Sequence, residues 1–260
     1  MAYPQYAGNG GTGGGVDDFV DIPFPATVNQ YDILVATVLD ADDDTFIVPT
    51  GWAEVATVNG AIASTVGVFW RRADGTETGV QRFYSNSASG LVIGGVMARF
   101  TGCVRTGTPY EGLATEGVEF SNPVRLPSVV TTGIERLVSA FIGIEDNKTL
   151  AQATSYTQQY HLLDTTGSDF AIGLQTQEVP TAQTVGAQTA ALELNVAENW
   201  ATINIALIPS TKFSLQGGIN VLTSVTGNLK RKVHLSGAVS ASSTVSGDVK
   251  AKRGLKGAIN

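Results

Sequence analysis

The chain has 260 residues, among them 30 Gly, one Cys and two Met, and only 15% of its side chains are charged. That length allows one large β domain with an appendage, or two domains; a single Cys excludes an internal disulfide framework, and sparse charge with abundant Gly, Ser, Thr and Val argues against a helical enzyme. The net charge of −7 conceals a division: residues 211–260 hold eight of the 16 basic residues and one of the 23 acids, a balance of +7, which leaves 8 basic and 22 acidic groups, −14, for the rest.

Residues 1–15 are expected to form a Gly-rich N-terminal arm. The run AGNGGTGGG reads as a flexible linker, or as an arm that borrows structure from a neighbour. It is not a phosphate-cradling loop, because no Lys-Ser/Thr follows it and no helical pattern opens after it. The start MAYPQYAGNGG has neither a basic nor an apolar targeting segment, so no secretory signal is expected. No stretch is long and apolar enough to suggest a membrane span.

Residues 16–210 read as short strands between turns. Val16–Ile22 alternates and ends at Pro23. The near-continuous apolar run DILVATVL, residues 32–39, has the composition of a strand buried on both faces. Asp40, Asp42 and Asp44 follow; in an extended segment they point one way and offer three carboxylates to a Ca²⁺ ion, although the Gly and Glu of an EF-hand loop are missing and an acidic turn explains them more simply. Trp52–Val58 and Thr65–Arg72 form a pair, and Ala73-Asp-Gly-Thr76 is a turn. In VGVFWRR, alternation places Val68 and Trp70 on one side and Phe69 on the other. Leu91–Phe100 continues the set, and Cys103, in apolar company, reads as a buried inert thiol. Thr101–Asn122 reads as irregular. Strands resume at Val124–Thr131, Leu137–Ile144, Tyr156–His161, Phe170–Gln175, Thr189–Leu194 and Ala201–Ile208, and Pro209 closes the body. Many short strands with turns between them specify an all-β fold, an antiparallel sandwich of jelly-roll type.

No enzyme is expected and no cofactor. The two His, His161 and His234, lie apart in sequence and lack a nucleophile elbow or a metal-binding spacing. Glu145-Asp146 reads as a solvated loop rather than half of a glycosidase pair. Trp52, Trp70, Tyr84, Tyr110, Tyr156 and Tyr160 are core or interface aromatics first, and a sugar-stacking platform second.

Residues 211–260 carry a different pattern. An apolar-x-Gly-x-apolar unit recurs every ten residues around Gly217, Gly227, Gly237, Gly247 and Gly257. The even period preserves strand parity, so this is a small repeated β module in which each Gly excludes a side chain from a close approach or bend. Two arrangements fit, a meander and an intertwined fibre of three chains; so small a module needs a partner, another copy or the body of this chain, and a trimer is favoured. Two of its connectors are basic, with Lys230, Arg231, Lys232, Lys250, Lys252 and Arg253, and are expected to face an acidic protein surface. Nucleic acid fits poorly, because no aromatic residue accompanies these segments.

Spaced short motifs carry a resemblance: DILVATVL, VPTGWAEV, VGVFWRRADGTE, VIGGVMARFTGC, LPSVVTT, RLVSAFIG and NWATINIALIP. Together they resemble the lectin- or glucanase-like jelly-roll domains of bacteriophage virion proteins, and the Gly-containing repeats are similar to those appended to phage particle proteins. The resemblance implies a non-enzymatic structural protein on the surface of a phage particle. Its expected role is that of a capsid decoration or head-fibre protein, with other copies of itself and capsid or tail proteins as partners. The alternative it implies is a tail-fibre or tail-tip protein that binds a host-surface glycan.

Overall fold

Strand β3 shows why the chain layers as it does. Every residue of Ile33–Asp40 is buried. Ile33, Val35 and Leu39 enter one apolar cluster, and Leu34, Ala36 and Val38 enter another. Successive side chains of a strand point to opposite faces, so a run apolar at every position requires cover on both.

The computed structural model describes residues 2–41, 45–59, 64–86, 92–164, 169–192 and 197–210. The protein is all-β and antiparallel, with no helix among the described residues. The first half contributes β1 (Gln5–Val16), β2 (Phe19–Pro23), β3 (Ile33–Asp40), β4 (Phe46–Ile47), β5 (Ala53–Asn59), β6 (Thr65–Arg72), β7 (Val80–Ser85) and β8 (Val92–Thr101). The second half contributes β9 (Tyr110–Ser121), β10 (Val124–Leu126), β11 (Val129–Val130), β12 (Arg136–Ile144), β13 (Thr157–Asp164), β14 (Phe170–Val179), β15 (Thr184–Val185), β16 (Gln188–Ala190) and β17 (Glu198–Leu207).

The first half forms a five-stranded sheet, β1-β8-β3-β6-β5, covered on its outer face by a three-stranded sheet, β2-β7-β4. The second half forms the sheet β13-β14-β12-β17-β9, covered on its outer face by the pairs β10-β16 and β11-β15. The two five-stranded sheets meet through a central core that includes Phe100, Phe141, Phe170 and Ile203. The expected sandwich is therefore present, but residues 16–210 are not one two-layered body: they form four layers.

The halves repeat one design. β1, β8, β3, β6 and β5 correspond in order to β9, β17, β12, β14 and β13. Tyr6 and Tyr110 pair with the penultimate and last residues of β8 and β17, Phe100 and Leu207. Tyr31 and Glu135 both have positive φ just before the central strand, and Gly51 and Ser155 both have positive φ in the turn before β5 and β13. Trp52 and Tyr156 donate their backbone N–H to Pro49 and Ala153 in that same turn. Tyr6 and Tyr110, Tyr31 and Glu135, Gly51 and Ser155, and Trp52 and Tyr156 each differ by 104 in residue number, as 135 less 31 does. The bulges in β5 and β13 also coincide, at Val55 and Gln159.

The covers are held differently. In the first half Phe46, Trp52, Phe69 and Phe83 pack edge to face or tilted beneath the outer sheet. In the second, amides and hydroxyls of the sheet tie down a less regular cover. Gln175 accepts from the Ala153 N–H and donates to the Ala151 carbonyl, Asn204 donates to the Pro127 carbonyl at 2.9 Å, and Thr202 donates to the Arg125 carbonyl at 2.8 Å.

Two sequence expectations are corrected. The Gly-rich segment 1–15 is no arm: from Gln5 it is β1, an edge strand paired to β8. A Cβ at Gly10 would overlap the Pro23 carbonyl and one at Gly13 the Asp21 carbonyl, so here glycine serves close backbone approach, not flexibility. The segment expected to be irregular between Thr101 and Asn122 contains β9, whose glycines again disguise a strand.

Candidate functional site

The residues singled out in the sequence do not converge. Asp40 is buried at the end of β3, while Asp42 and Asp44 lie outside the described residues. Among the described residues no group of three metal-ligating side chains occurs. The six basic residues and five glycines of 211–260 lie outside the described residues as well. Five of the aromatics are spread through three clusters, Trp52 under the first cover, Tyr156 under the second, and Trp70, Tyr110 and Tyr160 at the central core, while Tyr84 is exposed beside Phe19. Val68 and Trp70 share the central side and Phe69 faces outward, as alternation requires. Cys103 is buried, and burial pushes its thiol up to about 12.

Glu145 and Asp146 are not simply solvated. At the ends of β12 and β17, Lys148 bridges Asp146 at 2.7 Å and Glu198 at 3.7 Å, and the Asn199 amide donates to Glu145. Burial, with the neighbouring Asp146 and Glu145, raises the Glu198 carboxyl above its ordinary range. An ammonium already occupies the place where these acids would hold a cation. Nearby, burial lowers the His161 imidazole pKa against a backbone hydrogen bond to Lys148.

A different feature has the geometry of a site. Where β1 begins, the two five-stranded sheets part and leave a cleft of about 410 Å³. Its floor is Leu137 and the half-buried Tyr6, whose hydroxyl accepts from the Asn9 amide at 2.8 Å. Its walls are polar. Gln159 donates to the Thr176 hydroxyl at 2.6 Å, and Gln5 donates to Glu178 at 3.4 Å. Gln177 borders the cleft between Thr176 and Glu178, but by alternation its side chain lies on the outward face of β14 with Gln175 and Val179.

No family model, curated protein or solved structure matches this chain. What distinguishes the cleft comes from the molecule's own repeat. Thr176 pairs with Ser139 as Trp70 pairs with Val35, and Glu178 pairs with Leu137 as Arg72 pairs with Ile33. At the corresponding mouth, then, Trp70 stands where Thr176 stands and Arg72 where Glu178 stands. Arg72 lies over the Trp70 ring at 5.5 Å and donates to the Val104 and Gly107 carbonyls. One mouth is plugged by an aromatic ring under a cation, and the other is open and lined by amides and hydroxyls. No local motif in the sequence marks this cleft; comparing the chain with itself at a shift of 104 exposes the substitution of Val55 by Gln159.

Proposed function

We propose that this chain is a non-enzymatic structural protein of a bacteriophage particle, an accessory protein on the outside of the capsid of the decoration or head-fibre kind. The observation that carries the reading is the strand order. In the first half the strands form one sheet in the order 1-8-3-6, with the second and seventh paired in the layer over it; in the second half the corresponding strands run β9-β17-β12-β14, with β10 paired to β16 in the layer over them. That order supports the jelly-roll reading, an architecture recurrent in viral capsid and lectin domains. Fold alone does not assign function, and the division between a basic C-terminal segment and an acidic body adds a second support, since it suits attachment to an acidic protein surface.

The second reading, a tail-fibre or tail-tip protein that binds host glycan, is favoured by the open polar cleft. Locating the protein on purified particles by antibody labelling and electron microscopy tests both. Labels on the head support the first reading and labels at the tail tip the second. Particles without label overturn both.

A further inference from the structure

We infer that the cleft between the start of β1 and the β13–β14 edge is a binding site for a neutral saccharide, a ligand of one to a few sugar rings. The inference concerns the body alone and holds wherever a particle carries the protein.

The volume falls within the range of small-ligand sites, about 300–1,000 Å³, and such sites combine an apolar floor with a few convergent polar groups. Here the floor is one aliphatic side chain and one tyrosine ring, held edge-on against Phe100 at 6.1 Å and tilted against Tyr160 at 6.1 Å. Around it stand Gln5 and Gln159, whose planar amides each offer donors and an acceptor, with the hydroxyls of Thr157 and Thr176. This chemistry selects against other ligand classes. The single charge in the lining is Glu178, so an anion finds no cation to meet it. A wholly apolar ligand would strip water from two amides without replacing its hydrogen bonds, which costs binding. A sugar presents both requirements at once, C–H faces for the ring and vicinal hydroxyls for the amides.

The plugged mouth strengthens the case. The fold closes this position when it carries Val55, Trp70 and Arg72, and the same architecture with Gln159, Thr176 and Glu178 leaves it open. The two mouths differ in the side chains that corresponding strand positions carry.

The test uses the full chain, with glucose, galactose, N-acetylglucosamine and their short oligomers as probes, glucuronate as an anionic control, and binding read by calorimetry and by NMR shifts of the Gln side-chain amides. The expected result is saturable binding of at least one neutral sugar, with shifts confined to the cleft amides. Thr176→Trp, which builds the other mouth's plug into this one, should weaken that binding by at least about tenfold, equivalent to about 1.4 kcal/mol. Gln159→Ala, which makes no new contact, should weaken it in the same direction with an unchanged melting temperature, so that a failure of Thr176→Trp to fold does not decide the matter. No binding by any neutral probe overturns the inference. So does binding of equal strength in Gln159→Ala and in a folded Thr176→Trp, or a preference for glucuronate.

Discussion

Glycine at Gly10 and Gly15 looks alike in sequence and differs completely in surroundings. A Cβ at Gly10 meets the Pro23 backbone, whereas one at Gly15 meets open space, and neither residue needs positive φ. Gly10→Ala is therefore expected to destabilise by about 2–3 kcal/mol through overpacking. Gly15→Ala is expected to be neutral or to stabilise by up to about 1 kcal/mol, because the unfolded chain loses freedom. Thermal melts of the two variants check this, and equal melting points would refute the close approach. Glu111 is a second residue with a measurable signature. Desolvation alone would raise its carboxyl; hydrogen bonds from Arg136, from the Thr132 hydroxyl and backbone, and the Arg136 charge outweigh it and hold the group at about 2 against an ordinary 4.5. A carboxyl depressed on folding contributes stability above its unfolded pKa and loses it as pH falls through the folded one. The contribution of Glu111 is thus complete near neutrality and fades between about pH 4.5 and 2. Glu111→Gln should lower the melting temperature at pH 7 and narrow the gap to wild type over that acid range. A constant gap from pH 7 to pH 2 would remove Glu111 from the account.

At the scale of elements, the two covers show the same topology held by opposite means. Phe69 of β6 and Gln175 of β14 occupy equivalent outward positions, as do Met97 of β8 and Asn204 of β17. Where the cover is a regular sheet, its backbone is paired already and the strand below supplies only apolar area. Where the cover is irregular, the strand below supplies the missing hydrogen bonds. Gln175→Leu, although more apolar, should cost about 2–4 kcal/mol, since it orphans the Ala153 N–H and the Ala151 carbonyl at about 1–3 kcal/mol each. Denaturant unfolding measures it, and a stabilised variant would show that the amide is dispensable. This contrast also explains what was legible in the sequence. DILVATVL announces a strand buried on both faces because its pattern is continuous, and the β5–β6 pair is legible from its alternation and turns. β1 and β9 were not, because glycine is the usual mark of a flexible segment and here it marks contact between backbones. The repeat of the halves was hidden for a related reason. VDIP and VRLP, at 20–23 and 124–127, survive as a trace, while equivalent core positions exchange aromatic for amide and so erase the match. The cleft was invisible because it is made by residues from β1, β12, β13 and β14 that no single motif joins.

At the scale of the whole molecule, residues 2–210 bury their own core among described residues alone, with every strand of both central sheets contributed by this segment. A chain ending at Ser210 is therefore expected to fold with a melting temperature within a few degrees of the body in the full chain. If residues 211–260 assemble the protein, as the ten-residue pattern suggests, the same truncation should reduce its mass in sedimentation to that of one chain. A truncated body that fails to fold would place part of its stability beyond residue 210; a mass per particle that scales only with length would place the assembly contacts in the body.

Because β1 closes on β8 and β9 on β17, neither half borrows a strand from the other's sheet. A ribosome releases the first half with all its strands paired among themselves and its inward face, with Val35, Val68, Val96 and Phe100, still bare. That face waits for roughly the whole translation of the second half, on the order of ten seconds at about 5–20 residues per second. During that interval the nascent half presents a sticky surface whose best alternative partner is the first half of another nascent chain. Synthesis, more than the finished fold, is where this protein is exposed to aggregation, and slowed translation of residues 108–210 should draw chaperones to it.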